Sequence, residues 1–233
     1  MCALASEKCH LPERSVKIGS MEPDCFASSL YPLGWVHHRF GTRHGAAPPD
    51  DLATLKQIHS NLVLVAELPG HCGEADALVT NRPGVAVSVR TADCYPILLA
   101  DARNRAVAAV HAGWRGTVTH VVERALEKMK VEFGSSPVDV HAAIGPGIGV
   151  CCYEVGEEVA RQFGFAAVSR THLNLASENR KQLETAGVAP QNIEALGVCT
   201  FCDAKRFFSY RREKEKAGRM ISYIRIASEI KPR

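Results

Sequence analysis

Thr91-Ala92-Asp93-Cys94 and Val110-His111-Ala112-Gly113-Trp114-Arg115-Gly116 place a cysteine and a histidine at the ends of apolar runs, beside polar, turn-forming residues. A thiol and an imidazole so placed support two kinds of chemistry. They can form a nucleophile–base pair, the imidazole taking the thiol proton, or supply two soft ligands to a metal. Free cysteine is among the most buried residue types, so either residue alone reads equally well as core. The pairing carries the signal, because Thr91, Asp93 and Arg115 are odd neighbours for a plain core. A metal would need a third ligand, and His44, His59, His71, His120 and His141 are the candidates. His59 stands out because it ends Leu55-Lys56-Gln57-Ile58-His59 at a turn before another strand. Two imidazoles, one thiolate and an open fourth position suit catalytic zinc; copper(II) is the alternative ion.

The elements around these residues must do the positioning. Residues 85–89 and 97–100 read as buried strands flanking Cys94, and residues 107–110 as the next strand, ending at His111. Gly113 and Gly116 mark a turn, with Thr117 as N-cap of a helix from Val118 whose apolar positions are Val118, Val121, Val122, Ala125, Leu126 and Met129. A glycine turn at a helix start suits an anion, with Arg115 beside it. Downstream, Val138–Ile144 reads as a strand closed by the permissive loop Gly145–Gly149, and Leu175–Thr185 as a helix. Ile193–Val198 reads as a strand leading to Cys199, and Phe207–Tyr210 and Met220–Ile226 as the last extended segments, whereas Gly70–Glu74 reads as loop. The expected fold is α/β: one layered domain of mixed β-sheets flanked by helices. Residues 1–30 are a weakly patterned segment containing a short strand, and residues 31–233 form the single catalytic domain.

Composition narrows the function class. A chain of 233 residues, 46% hydrophobic, can bury a substantial core. The net charge of +3 is spread along the chain and gives no nucleic-acid footprint. No apolar run reaches the length of a membrane span, and residues 1–20 lack the apolar core of a signal peptide. Nine cysteines without an export signal point to reduced thiols and a cytoplasmic protein. Cys199-Thr-Phe-Cys202 is a CxxC that by itself suits a redox pair or half of a zinc knuckle, but Cys151-Cys152, being adjacent, does not read as the other half, so the pair is expected to be structural. No His-x-His occurs among ten histidines, which argues against a true multicopper oxidase.

Further motifs carry a resemblance. Gln57-Ile58-His59, Asp76-Ala77-Leu78-Val79-Thr80, Thr91–Ala100 and His111–Gly116 are similar to the YfiH-like, laccase-domain-containing family. So are Ile144–Ile148, Cys151–Val155 and Phe207–Arg212, and the match runs from about Trp35 to Ile226. The resemblance implies a layered fold like that of cysteine hydrolases and a metal site on His59, Cys94 and His111. It also implies zinc-dependent phosphorolysis of adenosine, inosine, guanosine or methylthioadenosine, together with adenosine deamination. The alternatives are a copper-dependent polyphenol oxidase and a Cys–His amidase acting on a peptidoglycan precursor. The expected partners are a small nucleoside and phosphate, with the protein a monomer or homodimer. Arg43 and Arg115 are the candidates to orient phosphate, and Tyr153 and Glu154 to contact ribose or base. Two departures stand out. The segment between Thr42-Arg43 and His59 is short, which bears on substrate range, and Asn174 stands where the family pattern suggests an aspartate.

Overall fold

The apolar runs beside Cys94 are buried on both faces, and this sets the architecture. The computed structural model describes Leu30 and residues 33–45, 47–166 and 169–227. The segment expected over residues 1–30, with its strand, lies outside the described residues except for Leu30. The first half contains β1 (Val36–Arg39), β2 (Leu52–Lys56), β3 (Val63–Val65), β4 (Gly70–Glu74), β5 (Ala77–Thr80), β6 (Ala86–Thr91), β7 (Tyr95–Asp101) and β8 (Ala106–Ala112). Helices α1 (Trp114–Val118) and α2 (Val121–Phe133) follow, then β9 (Val140–Ile144), β10 (Glu154–Gly156), α3 (Glu157–Gln162) and β11 (Arg170–His172). The fold ends with α4 (Leu175–Thr185), β12 (Ile193–Ala195), α5 (Tyr210–Glu213) and β13 (Met220–Ile226).

Two mixed sheets stack face to face. One runs β1-β13-β6-β2-β4 and the other β12-β9-β7-β8-β5-β3, while β10 and β11 form a separate hairpin. Alternate residues of the central strands feed two cores. Ile97, Leu99, Ala108 and Val110 pack with Val122, Ala125, Met129 and Leu183 of the helices. Leu98, Ala100, Val107 and Ala109 pack instead with Val87, Val89, Ala53 and Ile224 of the five-stranded sheet. The order is therefore helices, six-stranded sheet, five-stranded sheet, and strands buried on both faces read as unbroken apolar runs. This is the mixed α/β arrangement expected from the sequence.

Several local expectations are corrected. The helix after His111 begins at Trp114, with Gly113 as its N-cap, and breaks at Thr119-His120 before α2. Thr117 is not a cap: its hydroxyl donates back to the Gly113 carbonyl at 2.9 Å, and it also accepts from Asn179 of α4 at 3.0 Å. Gly70–Glu74 is not loop but an edge strand paired parallel to β2, half-exposed and hence without an apolar signature. Phe207–Ser209 precede the single turn of α5, where the Ser209 hydroxyl accepts from the Arg212 N–H. The strand expected over Ile193–Val198 stops at Ala195 as β12. Asn174 caps α4 by accepting from the Ser177 N–H at 3.0 Å, a task an aspartate would also perform.

Candidate metal centre

Three chain segments meet where the two sheets open. β2 and β6 are parallel neighbours, so the segments that follow them emerge at the same end of the five-stranded sheet. β7 and β8 are antiparallel, pairing Tyr95 with Ala112 and Pro96 with His111. The start of β7, next to Cys94, therefore lies beside the end of β8. His111 continues the alternation of Val107 and Ala109, which face the other sheet. The result brings His59, Cys94 and His111 together, with their ligand atoms all within 4.8 Å of one another. The His59 and His111 rings meet edge to face at 5.0 Å between centroids. His44, His71, His120 and His141 stay outside the group; His120 is exposed and pairs with Glu123 at 3.0 Å.

Asp76 holds this arrangement, and the sequence reading assigned it no role. It is fully buried, and its Oδ1 lies 2.8 Å from His111 Nδ1. It also accepts the backbone N–H groups of His59 and Ser60 at 3.0 and 2.5 Å and the Ser60 hydroxyl at 2.7 Å. One carboxylate thus orients one imidazole and fixes the turn that carries the other. With Nδ1 engaged, His111 presents Nε2 to the centre, the arrangement by which a carboxylate orients a metal-bound histidine. His59 itself adopts φ 60°, a left-handed conformation that a non-glycine residue holds only where its surroundings enforce it.

Electrostatics favour an anionic sulfur. Burial pushes the Cys94 thiol up, but His111 and His59 more than offset this and bring it to about 6. Burial likewise opposes charge on His111, yet Cys94 and Asp76 raise it to about 9. For Asp76 burial is again outweighed, by His111 and the Ser60 donors, and its carboxyl falls to about 2. Gly113 completes the fit: a Cβ there would lie 2.9 Å from Cys94 Sγ and 3.5 Å from the His59 ring. The donor set, its spacing and the absence of room for a side chain between donors all suit one tetrahedral cation.

The centre lies in the wall of a cavity of about 840 Å³. Arg90, Asp93, Tyr153, Arg211 and Arg219 also line it. Asp93 accepts from the Thr200 and Ser209 hydroxyls at 2.7 and 3.1 Å and from the Arg211 N–H at 2.6 Å. It anchors the segment before Cys94, at φ 86°. Both Arg211 guanidinium NH2 groups donate to the Glu154 carbonyl at 3.0 Å, and the group lies over the Tyr153 ring. Burial, with Cys94, raises the Tyr153 phenol to about 12, so it remains a hydrogen-bond donor.

Of the substrate contacts expected from the sequence, only Tyr153 lines this cavity. Arg43 lines a smaller neighbouring cavity, paired with Glu213 and stacked on Phe208. Arg115 is exposed and lies over the Trp114 ring at 4.3 Å, while Glu154 pairs with Arg170 at 2.9 Å. A second group of ligands departs from expectation altogether: Cys151 and Cys152 join Cys199 and Cys202.

Residues 37–227 match the family described as multi-copper polyphenol oxidoreductase laccase. The chain is 46% identical over 184 residues to a purine nucleoside phosphorylase of Deinococcus radiodurans, covering 75% of this chain and 70% of that protein. It is 36% identical over 197 residues to adenosine deaminase RL5 of an unknown prokaryote, covering 75% of each. Among solved structures, Bacillus licheniformis YfiH superposes with a TM-score of 0.77 at 26% identity, over 83% of this chain and 94% of that one. YlmD from Geobacillus stearothermophilus shares the fold, with a TM-score of 0.80 at 24% identity over 88% of this chain and 100% of that one. With residues 37–227 matched to its model and these relatives matched over most of their length, the chain belongs to the multi-copper polyphenol oxidoreductase laccase family.

Proposed function

We propose that this protein is a zinc-dependent purine nucleoside phosphorylase that also deaminates adenosine. The observation that carries the reading is the His59–Cys94–His111 group, braced by Asp76 and opening onto a cavity lined by arginines. Relatives named purine nucleoside phosphorylase and adenosine deaminase support the substrate class. Bound at these three residues, zinc would supply a Lewis acid with an open position.

The chain's own residues meet the other demands of phosphorolysis. Phosphate must be held against C1′ of the ribose while the bond to the purine breaks. Arg211 is a pre-oriented cation, since its fork is tied to the Glu154 carbonyl and its face rests on Tyr153. Arg90, on the same wall, adds a second positive charge. Arg43 and Arg115 are therefore assigned supporting roles at the margin, and Glu154 acts through its backbone rather than its carboxylate. Tyr153 offers a protonated phenol to ribose or base. Asp93, which accepts from Thr200, Ser209 and Arg211, serves as an anchor.

The copper reading fits less well. Multicopper chemistry requires many imidazoles, and among the described residues the remaining histidines join no further ligand group. A metal-free Cys–His hydrolase would use the Cys94–His111 charge pair but leaves His59, strained and directed at the same point, without a task. Product analysis after incubating metal-characterised protein with adenosine, with and without phosphate, tests the proposal. Adenine released only with phosphate, and inosine formed without it, are expected; intact adenosine with zinc bound would overturn it.

A further inference from the structure

About fifty residues apart in the chain, Cys151-Cys152 and the Cys199-x-x-Cys202 turn converge. The Sγ atom of Cys202 lies 3.6 Å from that of Cys151 and 3.3 Å from that of Cys152, and all four sulfurs fall within 4.8 Å of one another. These separations are far from an S–S bond of about 2.05 Å. They approach the edge of a sulfur tetrahedron, about 3.8 Å when each metal–sulfur bond is about 2.3 Å. A single disulfide also leaves the arrangement unexplained, because Cys202 approaches two sulfurs at once. Adjacent cysteines would point to opposite sides of a strand, but residues 150–152 form a turn, closed by the Cys152 N–H donating to the Gly149 carbonyl at 3.0 Å.

We infer that Cys151, Cys152, Cys199 and Cys202 form a second, structural zinc site, distinct from the His59–Cys94–His111 centre. Four thiolates close the coordination of one tetrahedral ion and leave no position for substrate. At Cys199 the backbone favours an anionic sulfur, the Gly149 N–H donating to its Sγ at 3.2 Å. Gly149 is also tightly enclosed, since a Cβ there would meet Cys199 Cβ at 3.1 Å and Cys151 Sγ at 3.3 Å.

The ion would tie together two segments that the isolated bridge between Gly147 and Cys199 already sets side by side. Both belong to the cavity wall. Ile148 and Tyr153, on either side of the first cysteine pair, line the cavity. Thr200, inside the CxxC turn, donates to Asp93, the residue before Cys94. The site thus acts as a staple behind the catalytic wall.

Native mass spectrometry and elemental analysis of the full-length protein, loaded with zinc and dialysed, should find two zinc ions per chain. Cys199→Ser/Cys202→Ser should lose one, while His59→Ala/Cys94→Ala should lose the other and retain this one, which separates the inference from the proposed activity. Should the serine variants fail to fold, alkylation of the wild type decides. Its four cluster cysteines should resist iodoacetamide until a chelator is added, and then react. One zinc per chain with Cys202 alkylated equally fast in both conditions would overturn the assignment. So would iron at this site, or a mass lower by two hydrogens under reducing conditions.

Discussion

Asp76 Oδ1 lies 2.8 Å from His111 Nδ1, and the same oxygen accepts the backbone N–H of His59 at 3.0 Å. A buried carboxylate therefore couples two proposed ligands 52 residues apart by fixing one ring and the other's backbone. Asp76→Asn keeps the shape but removes the charge and one acceptor. Zinc affinity at the His59–Cys94–His111 centre should fall about 10- to 100-fold, measured by competition with a chromogenic chelator. Unchanged affinity would show that Asp76 serves the fold alone.

Gly113 is required for space rather than backbone freedom. Its φ of −83° and ψ of 176° suit any residue, but a Cβ would press on Cys94 Sγ at 2.9 Å. Gly113→Ala should therefore displace Cys94 at a stability cost of about 1–3 kcal/mol, the usual range for overpacking. In the cobalt-substituted protein, the thiolate-to-metal absorption of this centre should weaken or shift while the far-ultraviolet circular dichroism is kept. An unaltered cobalt spectrum would contradict the steric account.

Arg211 should govern phosphate rather than metal. Arg211→Ala removes a positioned guanidinium charge from the cavity wall, so KM for phosphate should rise at least tenfold, corresponding to about 1.4 kcal/mol or more. Zinc content should not change, because the guanidinium donates to the Glu154 carbonyl and is not itself a candidate ligand. A loss of zinc with no change in KM would reverse the assignment.

A pH effect on stability is expected far from the centre. Burial, helped by His37, lowers the His38 imidazole from 6.5 to about 4. The unfolded chain then takes up a proton near pH 6.5 that the folded chain refuses until about pH 4. The His38 contribution to stability is thus fully present above pH 6.5 and is lost as pH falls to 4, by up to about 3 kcal/mol. Urea unfolding between pH 7 and 4.5 should show a shallower decline in His38→Gln than in the wild type. Parallel slopes would remove His38 as the cause.

The three proposed ligands were legible because each closes an apolar run or abuts a turn, a local pattern. Mixed sheets flanked by helices were legible for the same reason, since strands buried on both faces leave continuous apolar runs. What could not be read depends on distant partners. Asp76 gains its role only when folding brings Ile58–Ser60 and His111 around it. The break between α1 and α2 falls at His120, whose φ of 61° leaves the right-handed helical region, and no residue type at that position announces it. Strand β4 was hidden because an edge strand rich in glycine and polar residues needs no apolar face. Cys151-Cys152 gave no knuckle spacing, and only a turn lets adjacent thiols converge.

The most direct test compares phosphate-dependent adenine release with zinc bound at the His59–Cys94–His111 centre, in the wild type and in Cys94→Ala. The account expects activity to rise in proportion to zinc at that centre, and Cys94→Ala to lose one zinc per chain together with at least 99% of turnover. Full adenine release by Cys94→Ala, or by wild-type protein stripped of that zinc, would contradict it.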